Sequence, residues 1–472
     1  MMSGAPTRTV GWSVDGEAFE CSGPVGDGLP LGGYVRLHLP DGTQRVGQLL
    51  EQVVARTGSG RRVDAAGVLL DGVGDTRAFD EAIVGPAGDD DVRRALSGAR
   101  NTLEVGSVRG RDAVPAMLAA RGFNRHTFLC GQSGSGKTYS LGVLLERLLM
   151  RTTLPLLVLD PNGDHVHLGE PAVDVPPDTA AAYRAATDGL RVLRAGPDGQ
   201  EESLRIRLGE LGMAAAGALL ELDPVVDREE FNALVHTAQR IPTQTWGSVR
   251  EVMEAMRGLG GASVAALLLR MENLGIDGMS VWALGHHGTL MDRWAQRPRA
   301  LVADTSGFAS RRERLAVAVS VLAGAWERRM QRRPFLLVVD EAHDVCPAEP
   351  ADRLQAVAVE LFTRIAGEGR KYGIHLLLAS QRPDKLPDNV LSQCDNLVLM
   401  RVNSAGDRHA LAARFGFAPT GLVELAGRFG LGEALVAGKI ADPPALVRIG
   451  RRLTPEGGGD VPTDWADTPA DA

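Results

Sequence analysis

Eight consecutive residues, Gly131 to Thr138 (GQSGSGKT), carry the residue types that a chain of phosphates needs. Phosphate oxygens are held by backbone N–H groups turned into a tight loop, by a compact ammonium, and by a hydroxyl that can sit on a divalent cation. Gly131, Gly134 and Gly136 allow the turn, Lys137 supplies the ammonium and Thr138 the hydroxyl. Gln132, Ser133 and Ser135 complete the loop, and Tyr139 follows it. The chain has four lysines against 47 arginines, so a lysine at this position is informative. The flanks agree. His126 to Cys130 (HTFLC) reads as a short buried strand, and Leu141, Leu144, Leu145, Leu148 and Leu149 recur at helical spacing over Thr138 to Met150. The chemistry implied is the binding of ATP with Mg2+.

Hydrolysis needs more than a cradle. Phe335 to Glu341 (FLLVVDE) is an apolar strand that ends in two carboxylates. Asp340 is the candidate for holding Mg2+ with Thr138, and Glu341 the candidate for orienting and deprotonating the attacking water. An adjacent glutamate marks the phosphate-loop enzymes in which another strand is inserted between the Mg2+ strand and the loop strand. His375 to Ala379 is expected there, ending at Ser380, Gln381 and Arg382, with Gln381 as the sensor of the terminal phosphate. Arg370 and Lys371 stand at the end of a helix expected over Asp352 to Ala366, where cations also suit the helix dipole.

These residues must be positioned by a large scaffold. At 472 residues the chain has room for two or three domains. Only 4% of residues are aromatic, so cores must be built from Leu, Val and Ala. Cys21, Cys130, Cys346 and Cys394 form no C-x-x-C pair, which fits neither a zinc site nor a disulfide framework. The opening residues lack an apolar signal core, and the longest weakly polar run, Leu315 to Trp326, is too short for a bilayer. A soluble cytoplasmic protein is expected. The net charge of −8 argues against a uniformly basic surface but leaves room for nucleic acid inside a pore. The runs Arg311-Arg312-Glu313-Arg314 and Arg328-Arg329 with Arg332-Arg333 read as solvated faces before pore elements.

The first hundred residues alternate short strands with turn signals and predict a small β-barrel over 1–104. From about Val105 strands alternate with helices, the pattern of a parallel sheet covered on both faces. Core strands are expected at His126 to Cys130, Pro155 to Leu159, Ala300 to Ala303, Phe335 to Val339 and His375 to Ala379, with a further one at Asn396 to Val402. Helical spacing between the second and third predicts an inserted helical subdomain over about 200–295. Glu433 to Ile449 reads as a closing hairpin, and 453–472 as a disordered acidic tail.

GQSGSGKT, LVLDPNGDH (Leu157 to His165), LLVVDEAH (Leu336 to His343) and the stretch Glu368 to Val402 together resemble the HerA group of the HerA/FtsK superfamily of hexameric DNA motors. The resemblance runs from about Val105 to Arg452. It implies an α/β RecA-like core with the inserted-strand order, a homo-hexamer with ATP at subunit interfaces, and double-stranded DNA in a central pore. It also implies a partner on the N-terminal barrel, either a nuclease of the NurA type or a sirtuin-like or nuclease effector, in DNA end processing or anti-phage defence. By position it gives Lys137 and Thr138 the loop roles, Asp340 and Glu341 the Mg2+ and catalytic roles, Gln381 the sensor role, and Arg370 an action in trans. The family usually has histidine, glycine and glutamate after the second strand's aspartate, whereas this chain has Asn162, Gly163 and Asp164. Asp164 is the shorter carboxylate that could assist the water or the metal.

Two other readings are weaker. The string DEAH (Asp340 to His343) suggests a superfamily-two RNA helicase, but no second RecA-like domain follows and ASQRP replaces the expected S-A-T signal. A nucleotide-gated scaffold that regulates an effector, with little DNA pumping, is the alternative from a different class. No recognition helix or zinc module is evident, so DNA contacts are expected at phosphates and should weaken with salt.

Overall fold

Alternation of buried and exposed residues along the N-terminal strands closes them into a barrel. In this computed structural model, which describes residues 8–25, 27–57, 60–70, 77–96, 101–196, 202–241, 248–283 and 288–457, six strands come first. They are β1 (Val10–Ser13), β2 (Ala18–Pro24), β3 (Tyr34–His38), β4 (Gln44–Thr57), β5 (Gly60–Leu69) and β6 (Phe79–Pro86). Their order around the closed barrel is β1-β2-β5-β4-β3-β6, antiparallel throughout. Phe19, Leu37, Leu49 and Val84 fill the interior. The Phe19 ring leaves no room for neighbouring side chains: a Cβ on Gly47 or Gly67 would come within 2.5 or 2.7 Å of it.

Eleven further strands follow: β7 (Asn101–Val108), β8 (Arg111–Ala119), β9 (His126–Cys130), β10 (Leu156–Asp160), β11 (Arg191–Arg194), β12 (Ala300–Asp304), β13 (Phe335–Val339), β14 (Ile374–Ser380), β15 (Cys394–Leu399), β16 (Glu433–Gly438) and β17 (Ala441–Ile449). The chain divides into two compact units, residues 1–153, 341–349 and 363–451 in one, residues 154–340, 350–362 and 452–472 in the other.

In the first unit the strand order is β14-β9-β15-β16-β17-β7-β8. β14, β9 and β15 are parallel, and the rest are antiparallel. Every residue of β9 and β14 is buried, as parallel strands covered on both faces require. Both edges of β9 are filled, by β14 and β15, so β13 does not pair with it. This agrees with the inserted-strand order expected from the Asp340-Glu341 pair. The barrel meets this unit's closing hairpin directly, since a Cβ on Gly32 would lie 2.3 Å from Leu446 Cδ1.

The second unit carries four parallel strands in the order β11-β12-β10-β13. Its helices include Gly212–Leu219, Arg228–Arg240, Val249–Leu259, Ala262–Asn273, Leu290–Ala295 and Arg311–Glu327. Ser310 starts the last of these with a capping box, its Oγ accepting from Glu313 N at 3.1 Å while Glu313 Oε2 accepts from Ser310 N at 3.2 Å. The Arg270 fork ties two neighbouring helical segments through Glu230 at 2.6 Å and Asp227 at 3.3 Å.

Four details differ from the sequence reading. Strand β7 starts at Asn101 and pairs with β8 and β17, so the sheet begins before residue 105. β8 was not among the expected strands because Pro115 interrupts it, which an edge strand tolerates. β11, four residues long, is too short to leave a pattern. In the expected tail, Leu453 and Thr454 are 8% and 3% exposed, so residues just after Arg452 are packed, while 458–472 lie outside the described residues. Among the described residues, no helix is long and apolar enough to cross a membrane.

Candidate nucleotide site

The phosphate loop leaves β9 at Cys130 and enters the helix Lys137–Arg151. Gly134 and Gly136 have φ of +70° and +86°, the left-handed region that side chains disfavour. Gly131 is needed for a different reason, since a Cβ there would stand 2.6 Å from Ser135 Oγ and 2.8 Å from Met400 Cβ. The helix is anchored by Leu141, Leu144, Leu145, Leu148 and Leu149, all buried. Thr138 and Tyr139 lie half-buried in its first turn. Ser133 and Gly134 form the exposed crest, and Ser135 is buried beneath it.

The segment after β15 holds the loop from one side. Gln132 N donates to Arg401 O at 3.0 Å, Asn403 N donates to Gln132 Oε1 at 2.9 Å, and Arg401 Nη2 donates to Gly134 O at 2.9 Å. Gly432 N, from the turn before β16, donates to Ser135 O at 3.2 Å.

On the other side stand the chemical groups. Lys137 is 5% exposed, and its Nζ lies 3.0 Å from Glu341 Oε1. Gln381 Nε2 donates to the same oxygen at 2.6 Å. His343 Nδ1 is 3.3 Å from Glu341 Oε2 and 3.1 Å from Ser380 Oγ. Glu341 has φ of +44°, a left-handed conformation worth about 1–3 kcal/mol of strain for a residue with a Cβ. Lys137, Glu341 and Gln381 are thus brought together in the first unit.

Arg370 is not with them. It lies before β14, whereas Gln381 follows its end, and seven residues of strand span about 23 Å. Its guanidinium pairs instead with Asp395 at the start of β15, beside Arg125, whose Nε is 3.9 Å from the same carboxylate.

In the second unit three apolar strands end alike, LLVLD, ALVAD and LLVVD, each at an aspartate. Asp160 is the register partner of Asp304, and Leu159 that of Val339, so Asp340 follows on the same level. All three carboxylates are buried. Burial pushes the Asp160 carboxyl up to about 6; backbone N–H bonds from His165 and Asp164 oppose this, and the charges of Asp304 and Asp340 add to it. His165 Nε2 lies 3.9 Å from Asp340 Oδ2. Asp164 is half-buried on the turn after β10, and burial, then the Asp160 charge, raises its carboxyl above the usual range. Its carbonyl accepts from Arg452 Nη2 at 3.0 Å and Gly457 N at 3.1 Å.

In the first unit, left-handed glycines, a buried ammonium at a helix start and the Thr138 hydroxyl in its first turn fit a triphosphate with Mg2+. Sequence reasoning did not single out His343, Arg401, Asp160 or Asp304 for a role. The repeated strand-end aspartate was a legible signal for the last two. Arg401 carried none.

Part of each basic run is paired within the second unit. Arg311 pairs with Asp352 at 2.6 Å, Arg312 with Glu221 at 3.2 Å, and Arg329 stacks 4.4 Å over the Trp326 ring.

Residues 103–263 match the family model of the central domain of helicase HerA. A probable helicase of Methanocaldococcus jannaschii is 24% identical over 395 residues, covering 79% of this chain and 71% of that protein. The DNA double-strand break repair helicase HerA of Pyrococcus furiosus is 38% identical over 118 residues, 25% of this chain and 20% of that one. Among solved structures, VirB4 of Thermoanaerobacter pseudethanolicus superposes with a TM-score of 0.54 at 17% identity, covering 75% of this chain and 98% of that one. The bacterial conjugative coupling protein TrwBdeltaN70 gives 0.53 at 14%, covering 79% and 95%. The chain is similar to HerA-type helicases over these segments and shares its fold with VirB4 and the coupling protein.

Proposed function

We propose that this chain hydrolyses ATP with Mg2+ to drive movement on double-stranded DNA, as a homo-hexamer that works with a nuclease or another effector docked on its barrel. DNA end processing or anti-phage defence is the setting this suits. The observation that carries the reading is the convergence of Lys137, Gln381 and the strained Glu341 on one carboxylate oxygen at the mouth of the phosphate loop. A binding module needs the loop alone; a hydrolase also needs the base and the sensor. The relatives' names, DNA double-strand break repair helicase among them, support the duplex substrate, and TrwB in complex with ADP and Mg2+ supports the cofactors.

In this mechanism Gly131 to Gly136 wrap the phosphates with backbone N–H groups, and Lys137 neutralises the β and γ oxygens. Thr138 and Asp340 are the residues that would hold Mg2+, which when bound would neutralise phosphate charge. Glu341 takes the proton of the attacking water as the bond from the γ-phosphorus to the bridging oxygen breaks, giving ADP and phosphate. Gln381 reports the loss of the terminal phosphate to β14. Asp164 assists the water or the metal from its turn. Arg370, on the far end of β14, serves a neighbour's nucleotide in the ring.

The test is phosphate release with and without blunt duplex DNA, at low and at physiological salt. Stimulation by duplex that fades with salt supports the motor, because the contacts are to phosphates. ATPase activity indifferent to DNA but altered by a co-purified effector would favour the nucleotide-gated scaffold.

A further inference from the structure

Strand order fixes the direction in which a nucleotide must lie on the loop. The hydrolytic groups mark where the terminal phosphate goes: Gln381 follows β14, and its amide is bonded to Glu341. β9 has β14 on one side and β15 on the other, with Ser380, Cys130 and Leu399 in one register row. With the terminal phosphate on the β14 side, the α-phosphate, ribose and base must leave the loop toward β15.

Two residues stand there. Arg401, two positions beyond Leu399, reaches over the loop crest with Nη2 on Gly134 O at 2.9 Å. Its Nε is shielded from solvent and meets no hydrogen-bond acceptor among the described residues. A guanidinium carries five donors, so this one has capacity to spare beside a loop built for phosphates. Leu431 is the second. It is 71% exposed, yet its Cδ1 lies 3.4 Å from where a Cβ on Gly136 would sit.

Leu431 does not sit on a slack turn. Gly430 N donates to Glu433 Oε2 at 2.9 Å, Arg109 Nε holds that same oxygen at 2.9 Å, Ile449 N donates to Gly432 O at 2.8 Å, and Gly432 N is bonded to the loop at Ser135 O. A large apolar side chain is therefore held in water, beside the loop, by a rigid frame.

We propose that Leu431 is the platform on which the base of the nucleoside triphosphate packs, and that Arg401 is the cation that holds the α-phosphate next to it. This rests on the reading of the loop as a nucleotide site and adds to it the residues that bind the non-reacting end. A leucine offers the base a face and no hydrogen bond, so its contact gains from ring area and accepts either purine. Arg401 supplies charge in cis, complementing Lys137 on the other side of the loop.

The experiment compares Mg-ATP and Mg-tripolyphosphate as ligands of the full chain by titration calorimetry. Tripolyphosphate has the phosphates without the base. Leu431→Ser should weaken ATP about tenfold, the worth of one leucine face, and leave tripolyphosphate within about twofold. GTP should lose affinity in parallel with ATP. Arg401→Gln, which keeps a donor for Gly134 O, should weaken ATP and ADP together by a similar factor. ATP affinity unchanged in Leu431→Ser, or lost equally for tripolyphosphate, overturns the platform; a change of oligomeric state with unaltered ATP affinity does so too, by making Leu431 a contact between copies. Wild-type affinities for both ligands in Lys137→Ala would instead overturn the nucleotide reading and this inference with it.

Discussion

The ammonium of Lys137 lies 3.0 Å from Oε1 of Glu341, and the Gln381 amide donates to that same oxygen at 2.6 Å. Two donors on one oxygen keep that oxygen occupied. A triphosphate in the loop offers the ammonium a second anion and frees the carboxylate to accept a proton. In the proposed mechanism the pair ties the competence of Glu341 as base to occupancy of the loop.

Lys137→Ala should abolish measurable hydrolysis and weaken Mg-ATP binding. Glu341→Gln should keep binding within a few-fold and lower turnover by roughly 10²–10⁴, the usual worth of a general base. Single-turnover phosphate release beside equilibrium binding separates the two, and a Glu341→Gln protein with normal turnover would remove Glu341 from the chemistry.

Gln381→Ala removes a donor from Glu341 without removing charge from the loop. Turnover should fall by about 10–100-fold with ATP affinity nearly unchanged, an effect confined to the transition state. Equal losses in affinity and turnover would make Gln381 a ground-state contact.

Arg370→Ala should bind ATP and turn over at least about 10³-fold more slowly, the low end for an arginine that stabilises a transferring phosphoryl group. Mixed with Lys137→Ala subunits it should regain part of its activity, because some interfaces then pair an intact loop with an intact arginine. Arg370→Lys should stay poor, since an ammonium lacks the planar fork. Normal turnover in Arg370→Ala would assign the residue to its pairing with Asp395 alone.

His126 predicts how stability responds to acid. Its Nε2 faces Ala366 O at 3.0 Å and its Nδ1 accepts from Leu376 N at 3.0 Å, so the folded ring is neutral with its proton on Nε2. Burial lowers it to about 3, and burial with the nearby Arg125 and Arg370 charges lowers His375 to about 4, from 6.5. The unfolded chain therefore binds these protons first as pH falls. Stability should be unaffected by either group above pH 6.5 and drop below it, by about 1.4 kcal/mol per pH unit for each histidine, until the folded values are reached. Urea denaturation between pH 7 and pH 4.5 measures this, and His126→Gln should flatten the slope.

The parts of the site that sit at strand ends were legible because a buried strand is an apolar run and the residue after it stands out. Asp340, Glu341 and Gln381 were found in this way, and Lys137 by the glycine-rich run that precedes it. Arg401 and Leu431 were not, because what distinguishes them is a neighbour more than 200 residues away in sequence, Gly134 or Gly136, which no local pattern records. The barrel showed in its turns and alternation. β8 was hidden by Pro115, and the packing of Arg452 to Gly457 by a composition that is polar and breaker-rich even though Gly457 N and Arg452 grip the Asp164 carbonyl. Composition reports what a segment can bury by itself, and these residues are held by a turn formed elsewhere.

The closing hairpin has a consequence for how the protein is made. β17 pairs with β7, and Gly432 reaches the phosphate loop, so segments from residues 101–136 wait for residues 430–449 before the last of their hydrogen bonds can form. A ribosome exposes the loop some three hundred residues before its last partner. The barrel, by contrast, closes entirely within residues 10–86. The nascent chain can thus present a finished barrel while the phosphate loop still lacks its last partner.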